Sequence, residues 1–177
     1  MKQDFLKPIK QFADSFDIDW RILYAIGMNE SNGSGREGEL IKHRFEKYIF
    51  NQFARVKEGA KDTCPSLPYL DKVWIRKHSW AQLQLMATSW GMFQIMGWHY
   101  PSLGFSSIDQ MVDCYKGSED YQVRSFLYFC VKYRDSKFLK ALKKGWLRTI
   151  ARYYNGAGYA KNNYVQKLIK HIRSAPV

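Results

Sequence analysis

The chain has 177 residues, 46% of them hydrophobic and 16% aromatic, which fits one well-buried core and excludes disorder. Its formal net charge of +12 points to an anionic partner, either nucleic acid or an anionic surface. No apolar stretch approaches the roughly 18–20 residues that span a bilayer, and three cysteines without a CxxC spacing (Cys64, Cys114, Cys130) fit reduced thiols better than a disulfide framework.

The first eight residues hold no long apolar core and no small-residue cleavage site, so no signal peptide is expected and synthesis is placed in the cytoplasm. Periodicity predicts helices over about 4–16 and 19–30, the second entered through Asp17 or Asp19 as N-cap. In the second, Leu23, Ile26, Gly27 and Glu30 follow an i, i+3, i+4, i+7 pattern and share one inward face. Residues 36–50 are read as an extended pair or small hairpin leading into a helix near 43–56. The Pro-containing stretch 63–68 is a loop inside one domain. Helices are predicted near 79–88, 107–116 and 119–134, with a capping box of Ser107 and Gln110 opening the middle one. Two short helices, 136–144 and 146–154, are separated by Gly145, and the last, about 160–173, aligns Tyr164, Leu168 and Ile172. The class is mainly α.

Glu30 is the residue with chemical consequence. It leaves an apolar helix face where the helix stops, at Ser31-Asn32-Gly33-Ser34-Gly35. Poor solvation raises a carboxyl pKa from about 4.3 towards neutrality. A carboxylic acid kept protonated near neutral pH is the proton donor that glycosidic cleavage requires. The four histidines show neither an HExxH pattern nor paired cysteines, so no metal and no cofactor are expected.

Two more segments carry chemistry. In Ser89-Trp90-Gly91-Met92-Phe93-Gln94-Ile95-Met96-Gly97, Gly91 permits close backbone approach. Gln94 both donates and accepts, which suits an acetamido group or the reacting water. Ser89 is placed to bond Glu30 or the sugar, while Ile95 and Met96 read as core. In Tyr153-Tyr154-Asn155-Gly156-Ala157-Gly158-Tyr159, the Asn-Gly pair marks a turn after a helix. Trp90, Trp98 and Tyr159 are candidate sugar platforms.

Together with the Glu30-Ser31 segment, these motifs occur in the order that resembles the N-acetylmuramidase domain of phage endolysins. That domain lies within the lysozyme-like superfamily of goose-type lysozymes and lytic transglycosylases. The likeness runs from about Ile9 to His171 and includes Phe12-Ala13, Phe45-Glu46 with Phe50, and Tyr159-Ala160-Lys161-Asn162-Asn163-Tyr164. It implies one lysozyme-like domain over residues 1–177, with a cleft between a helical lobe and a small irregular or β lobe, and no separate wall-binding module. It also implies a monomeric peptidoglycan glycosidase, reaching the wall after release by another factor, that hydrolyses the β-1,4 bond between N-acetylmuramic acid and N-acetylglucosamine. By the resemblance, Glu30 is the general acid and Glu46 the second carboxylate, with Glu37 and Glu39 as nearer alternatives in sequence. Ser89, Gly91, Gln94, Tyr154, Asn155, Trp90 and Trp98 are expected to bind substrate, Tyr154 lying near the acid. Arg36 stands where the family has an aromatic and Ala157 where it has proline. A lytic transglycosylase leaving anhydro-muramoyl ends is the nearest alternative. A non-catalytic basic nucleic-acid binder is the other, although no zinc-finger, RRM, KH or helix-turn-helix signature is present. The basic surface also suits attraction to an anionic bacterial envelope.

Overall fold

A computed structural model describes residues 3–68, 70–133 and 135–176. Helix α1 (Gln3–Ser15) buries Phe5, Leu6, Ile9 and Ala13 and packs on α2 (Trp20–Ser31) and α7 (Glu119–Tyr128). Helix α2 opens at Asp19, whose carboxylate accepts from the Arg21 N–H at 3.0 Å. It closes at Asn32, which takes the left-handed conformation (φ 58°). Every residue from Ile22 to Gly27 is buried, so α2 is enclosed on nearly all sides rather than amphipathic. Its main partner is the last helix, α10 (Tyr164–Arg173).

The β structure is short, and three helices separate its third and fourth strands in the chain. Strands β1 (Arg36–Glu37) and β2 (Leu40–Ile41) form a hairpin. A three-stranded antiparallel sheet joins β3 (His43–Phe45), β4 (Thr88–Trp90) and β5 (Ile95–Met96), with Arg44 opposite Ser89 and Ser89 opposite Met96. The helix expected near 43–56 therefore begins later, as α3 (Lys47–Lys57). The first three residues of that stretch pair instead with a strand 45 positions away, an interaction that local periodicity cannot register.

Helix α4 (Lys72–Lys77) was not anticipated. Helix α5 (Trp80–Met86) starts at a full capping box, Ser79 with Gln82. Ser107 caps α6 (Ile108–Gly117) by accepting from Gln110 N–H, but Gln110 Oε1 turns to the Ser106 N–H and hydroxyl, so only half of the expected box forms. Helix α7 gives way to a π-helical turn (Phe129–Tyr133), and α8 (Asp135–Lys144) and α9 (Leu147–Asn155) flank Gly145 as the sequence indicates. A 3-10 turn (Ala157–Ala160) precedes α10. A single core cluster links these elements; at its centre Phe93, from the β4–β5 turn, stacks on Phe126 of α7 with centroids 3.8 Å apart. The architecture is mainly helical with small antiparallel sheets. No helix among the described residues is long and apolar enough to cross a membrane.

Candidate active site

Glu30 occupies the last turn of α2, above the buried Leu23, Ile26 and Gly27, and is itself half-buried. Tyr164, the first residue of α10, donates from Oη to Glu30 Oε1 at 2.5 Å. Burial raises the Glu30 carboxyl above its ordinary value; this outweighs the Tyr164 hydrogen bond and the charges of Arg44 and Lys167, which pull the other way. Burial and the neighbouring Glu30 charge push the Tyr164 phenol well above its usual range, so it remains a donor. The carboxyl thus sits in poorly solvated surroundings, held by one phenol, with two cationic charges acting on it.

Glu46 stands between β3 and α3, at the N-cap position but without a capping bond. Its side chain is 32% exposed and paired with Arg44 Nε at 2.6 Å. Arg44 therefore acts electrostatically on both acids, through contact with Glu46 and through its charge on Glu30.

The β4–β5 turn fixes Gln94. Ser89 Oγ donates to Gln94 Oε1 at 2.8 Å and more weakly to the Arg44 carbonyl at 3.3 Å, while Gln94 Nε2 donates to the Gly91 carbonyl at 2.8 Å. Ser89 is 1% exposed, so it positions Gln94 and reaches neither Glu30 nor a sugar, contrary to expectation. Gly91 also differs from the sequence reading. Its φ is +74°, and a Cβ there would meet Gln122 Oε1 at 2.6 Å, so the close approach is to a buried α7 side chain rather than to substrate. Gln122 Oε1 accepts from Met92 N–H at 2.8 Å, and a Cβ on Gly35 would overlap the same amide. Next to it, Glu119 accepts from Gly35 N–H at 3.0 Å. One turn of α7 thus holds both the loop after Glu30 and the turn before Gln94.

A cleft of about 700 Å³ brings Gln94, Trp98, Tyr154 and Asn155 together with Ile49 and Met96. Glu30 does not line this cavity; the connection runs through Gln94, Ser89 and the β3 strand that carries Arg44. Tyr154 donates to the Phe93 carbonyl at 2.7 Å, and the tyrosine that touches the acid is Tyr164 instead. Asn155 ends α9 and accepts from Asn162 Nδ2 at 3.1 Å. Trp98 is partly buried in the cleft wall, its indole N–H without an acceptor among the described residues. Trp90 belongs to the core: it is 8% exposed, its N–H donates to the Leu85 carbonyl, and His43 stacks on its ring. Arg36 ties the β1–β2 hairpin together by donating to the Glu39 carbonyl at 3.0 Å and reaches the Lys116 carbonyl at the end of α6.

Tyr164 and Gln122 were missed as site residues. For Tyr164 a signal existed: a phenol on the apolar face of a helix needs a hydrogen-bond partner. Gln122 had none.

The N-acetylmuramidase family profile matches residues 19–175. The chain belongs to the N-acetylmuramidase family. It is also similar to the crystal structure of the Burkholderia AP3 phage endolysin, with 28% identity and a TM-score of 0.71 over 96% of this chain and 70% of that one. No curated protein sequence matches it. Family membership makes this muramidase a peptidoglycan-degrading glycosidase and places Glu30, Gln94 and Tyr154 all within the matched region.

Proposed function

We propose that the chain hydrolyses the β-1,4 bond between N-acetylmuramic acid and N-acetylglucosamine, with Glu30 as general acid. The observation that carries this reading is the Glu30 carboxyl itself, held above its ordinary pKa by burial at the end of α2 and oriented by Tyr164. Protonated Glu30 gives its proton to the glycosidic oxygen as the bond to the muramoyl carbon breaks, and positive charge develops on the sugar ring. The departing alcohol is then neutral. Water adds to the ring carbon, and Glu46 takes the proton that the water loses. Gln94, clamped by Ser89, presents its amide to the cleft to hold an acetamido group, and Trp98, Tyr154 and Asn155 supply the remaining walls. The excess positive charge draws the protein to the anionic envelope, and the chain acts as a monomer.

One observation favours a second reading. Glu46 is already engaged by Arg44, and a lytic transglycosylase dispenses with a second carboxylate because the muramoyl 6-hydroxyl attacks in place of water. Digestion of purified peptidoglycan by the wild type and by Glu30→Gln, with released ends read by mass spectrometry, separates the cases. Reducing N-acetylmuramic acid ends that vanish in the variant support the hydrolase. Anhydro ends move the reaction to transglycosylation at the same acid, and undiminished cleavage by Glu30→Gln refutes the role of Glu30.

A further inference from the structure

The last part of the chain carries charge of one sign. From Ser136 to Val177 ten residues are Lys or Arg and none is Asp or Glu. Within it Arg148, Thr149, Arg152, Tyr153 and Tyr159 line an open basin of about 510 Å³ between α9 and the 3-10 turn that follows it. Both arginines are exposed, and neither forms an ion pair with a described carboxylate. Two free guanidiniums one helical turn apart, with Thr and Tyr hydroxyls beside them, form a donor array that matches carboxylates in planar, bidentate fashion.

Position along α9 decides which carboxylates these are. Arg148, Arg152 and Asn155 follow one another at i, i+4 and i+7 and so share a face of the helix. Asn155 also lines the cleft that holds Gln94 and Trp98. The basin therefore begins about one helical turn from the cleft rim, along the same helix. A glycan strand lying in the cleft carries acidic peptides on its muramic acid lactyl groups, and a peptide leaving past Asn155 runs onto the two arginines.

We propose that the Arg148–Arg152 basin is a peptide subsite that binds the carboxylates of the acidic stem peptide of peptidoglycan. The inference rests on the muramidase reading above, and its test is arranged so that the two fail separately. The first measurement is calorimetric titration with the acidic tetrapeptide that an amidase releases from peptidoglycan. Wild type binds it, and Arg148→Gln/Arg152→Gln weakens binding about tenfold, or about 1.4 kcal/mol. Arg148→Lys/Arg152→Lys falls between them because it keeps the charge and loses the fork. The second measurement compares soluble glycan strands with and without their peptides. The double Gln variant raises KM about tenfold on peptide-bearing strands, with kcat within about twofold, and leaves stripped strands unaffected.

Absence of peptide binding by wild type, or equal losses on both kinds of strand, overturns the subsite. The latter result would assign the arginines to general attraction for anions. Peptide binding that depends on the arginines, without glycan cleavage, upholds the subsite and overturns the muramidase reading alone. Both side chains are exposed, and unchanged thermal melting checks that the variants fold.

Discussion

Tyr164 Oη stands 2.5 Å from Glu30 Oε1, joining the start of α10 to the end of α2 across 134 positions of sequence. This contact works against burial. Desolvation favours the protonated acid, whereas the phenol stabilises the carboxylate, so the acid is tuned by two opposed causes within one contact. Because α2 and α10 pack closely, the phenol has little freedom to leave.

Tyr164→Phe is therefore expected to shift the pH profile as well as lower the rate. Removing the hydrogen bond raises the Glu30 pKa further. A general acid must be protonated, so the falling limb of kcat moves to higher pH. At the optimum kcat drops about tenfold from lost orientation. A pH–kcat series on soluble glycan checks both; a limb that stays in place would show that another group sets it.

Glu30 also leaves a thermodynamic mark. Its folded-state pKa lies above the ordinary carboxyl value, so the native state holds the proton more tightly than the unfolded chain does. The stability associated with the protonated form is complete below the unfolded value and is lost as pH rises through the folded one. Glu30→Gln, neutral at every pH, is expected to melt about 2–4 °C above wild type at pH 7. The gap should close near pH 4. Melting curves at the two pH values decide this, and a variant less stable than wild type at pH 7 would contradict it.

The part of the site that was legible in sequence is the part encoded locally. Leu23, Ile26, Gly27 and Glu30 follow one helical period, and the Asn155-Gly156 turn is likewise set by its own residues. The rest depends on contacts between distant segments. His43 to Phe45 form a strand only because Thr88 to Trp90 lie beside them. Trp90 and Trp98 look alike in sequence, yet packing against Leu85 and His43 sends one to the core and the other to the cleft. Tyr154 is the tyrosine that the sequence sets near the acid, yet the fold gives it to Phe93 and brings Tyr164 to Glu30 instead.

Gly91 and Gln122 offer a test of that long-range assembly. Gly91→Ala adds a Cβ at φ +74° and 2.6 Å from Gln122 Oε1, so two penalties combine. A loss of about 2–4 kcal/mol is expected by denaturant unfolding. In a Gln122→Ala background the clash disappears while the backbone strain stays, so the cost of Gly91→Ala should fall by roughly half. Strict additivity of the two substitutions would show that the glycine is needed for its backbone angle alone.

The net charge of +12 predicts a salt response. Attraction of a basic protein to an anionic wall is screened over about 10 Å at 0.1 M salt. Lysis rates on whole peptidoglycan should fall several-fold between 20 mM and 300 mM NaCl, while cleavage of short soluble glycan fragments, which carry few charges each, changes less. A flat response on the intact wall would remove electrostatic targeting.

The Arg44–Glu46 pair bears on how the reaction ends. Its arginine is exposed at the surface, so its contribution to stability is expected to stay below about 1 kcal/mol, and Arg44→Gln should melt close to wild type. Its effect on catalysis should be greater. The Arg44 charge lowers the Glu30 pKa, so its removal moves the falling limb of the pH profile upward, in the same direction as Tyr164→Phe. Glu46→Gln leaves the acid in place and removes the proposed water-activating base. Hydrolysis should then fall about 100-fold or more with the fold intact. If turnover persists in Glu46→Gln and the products carry anhydro ends, the Arg44-bound carboxylate has no part in bond cleavage and the muramoyl hydroxyl is the nucleophile.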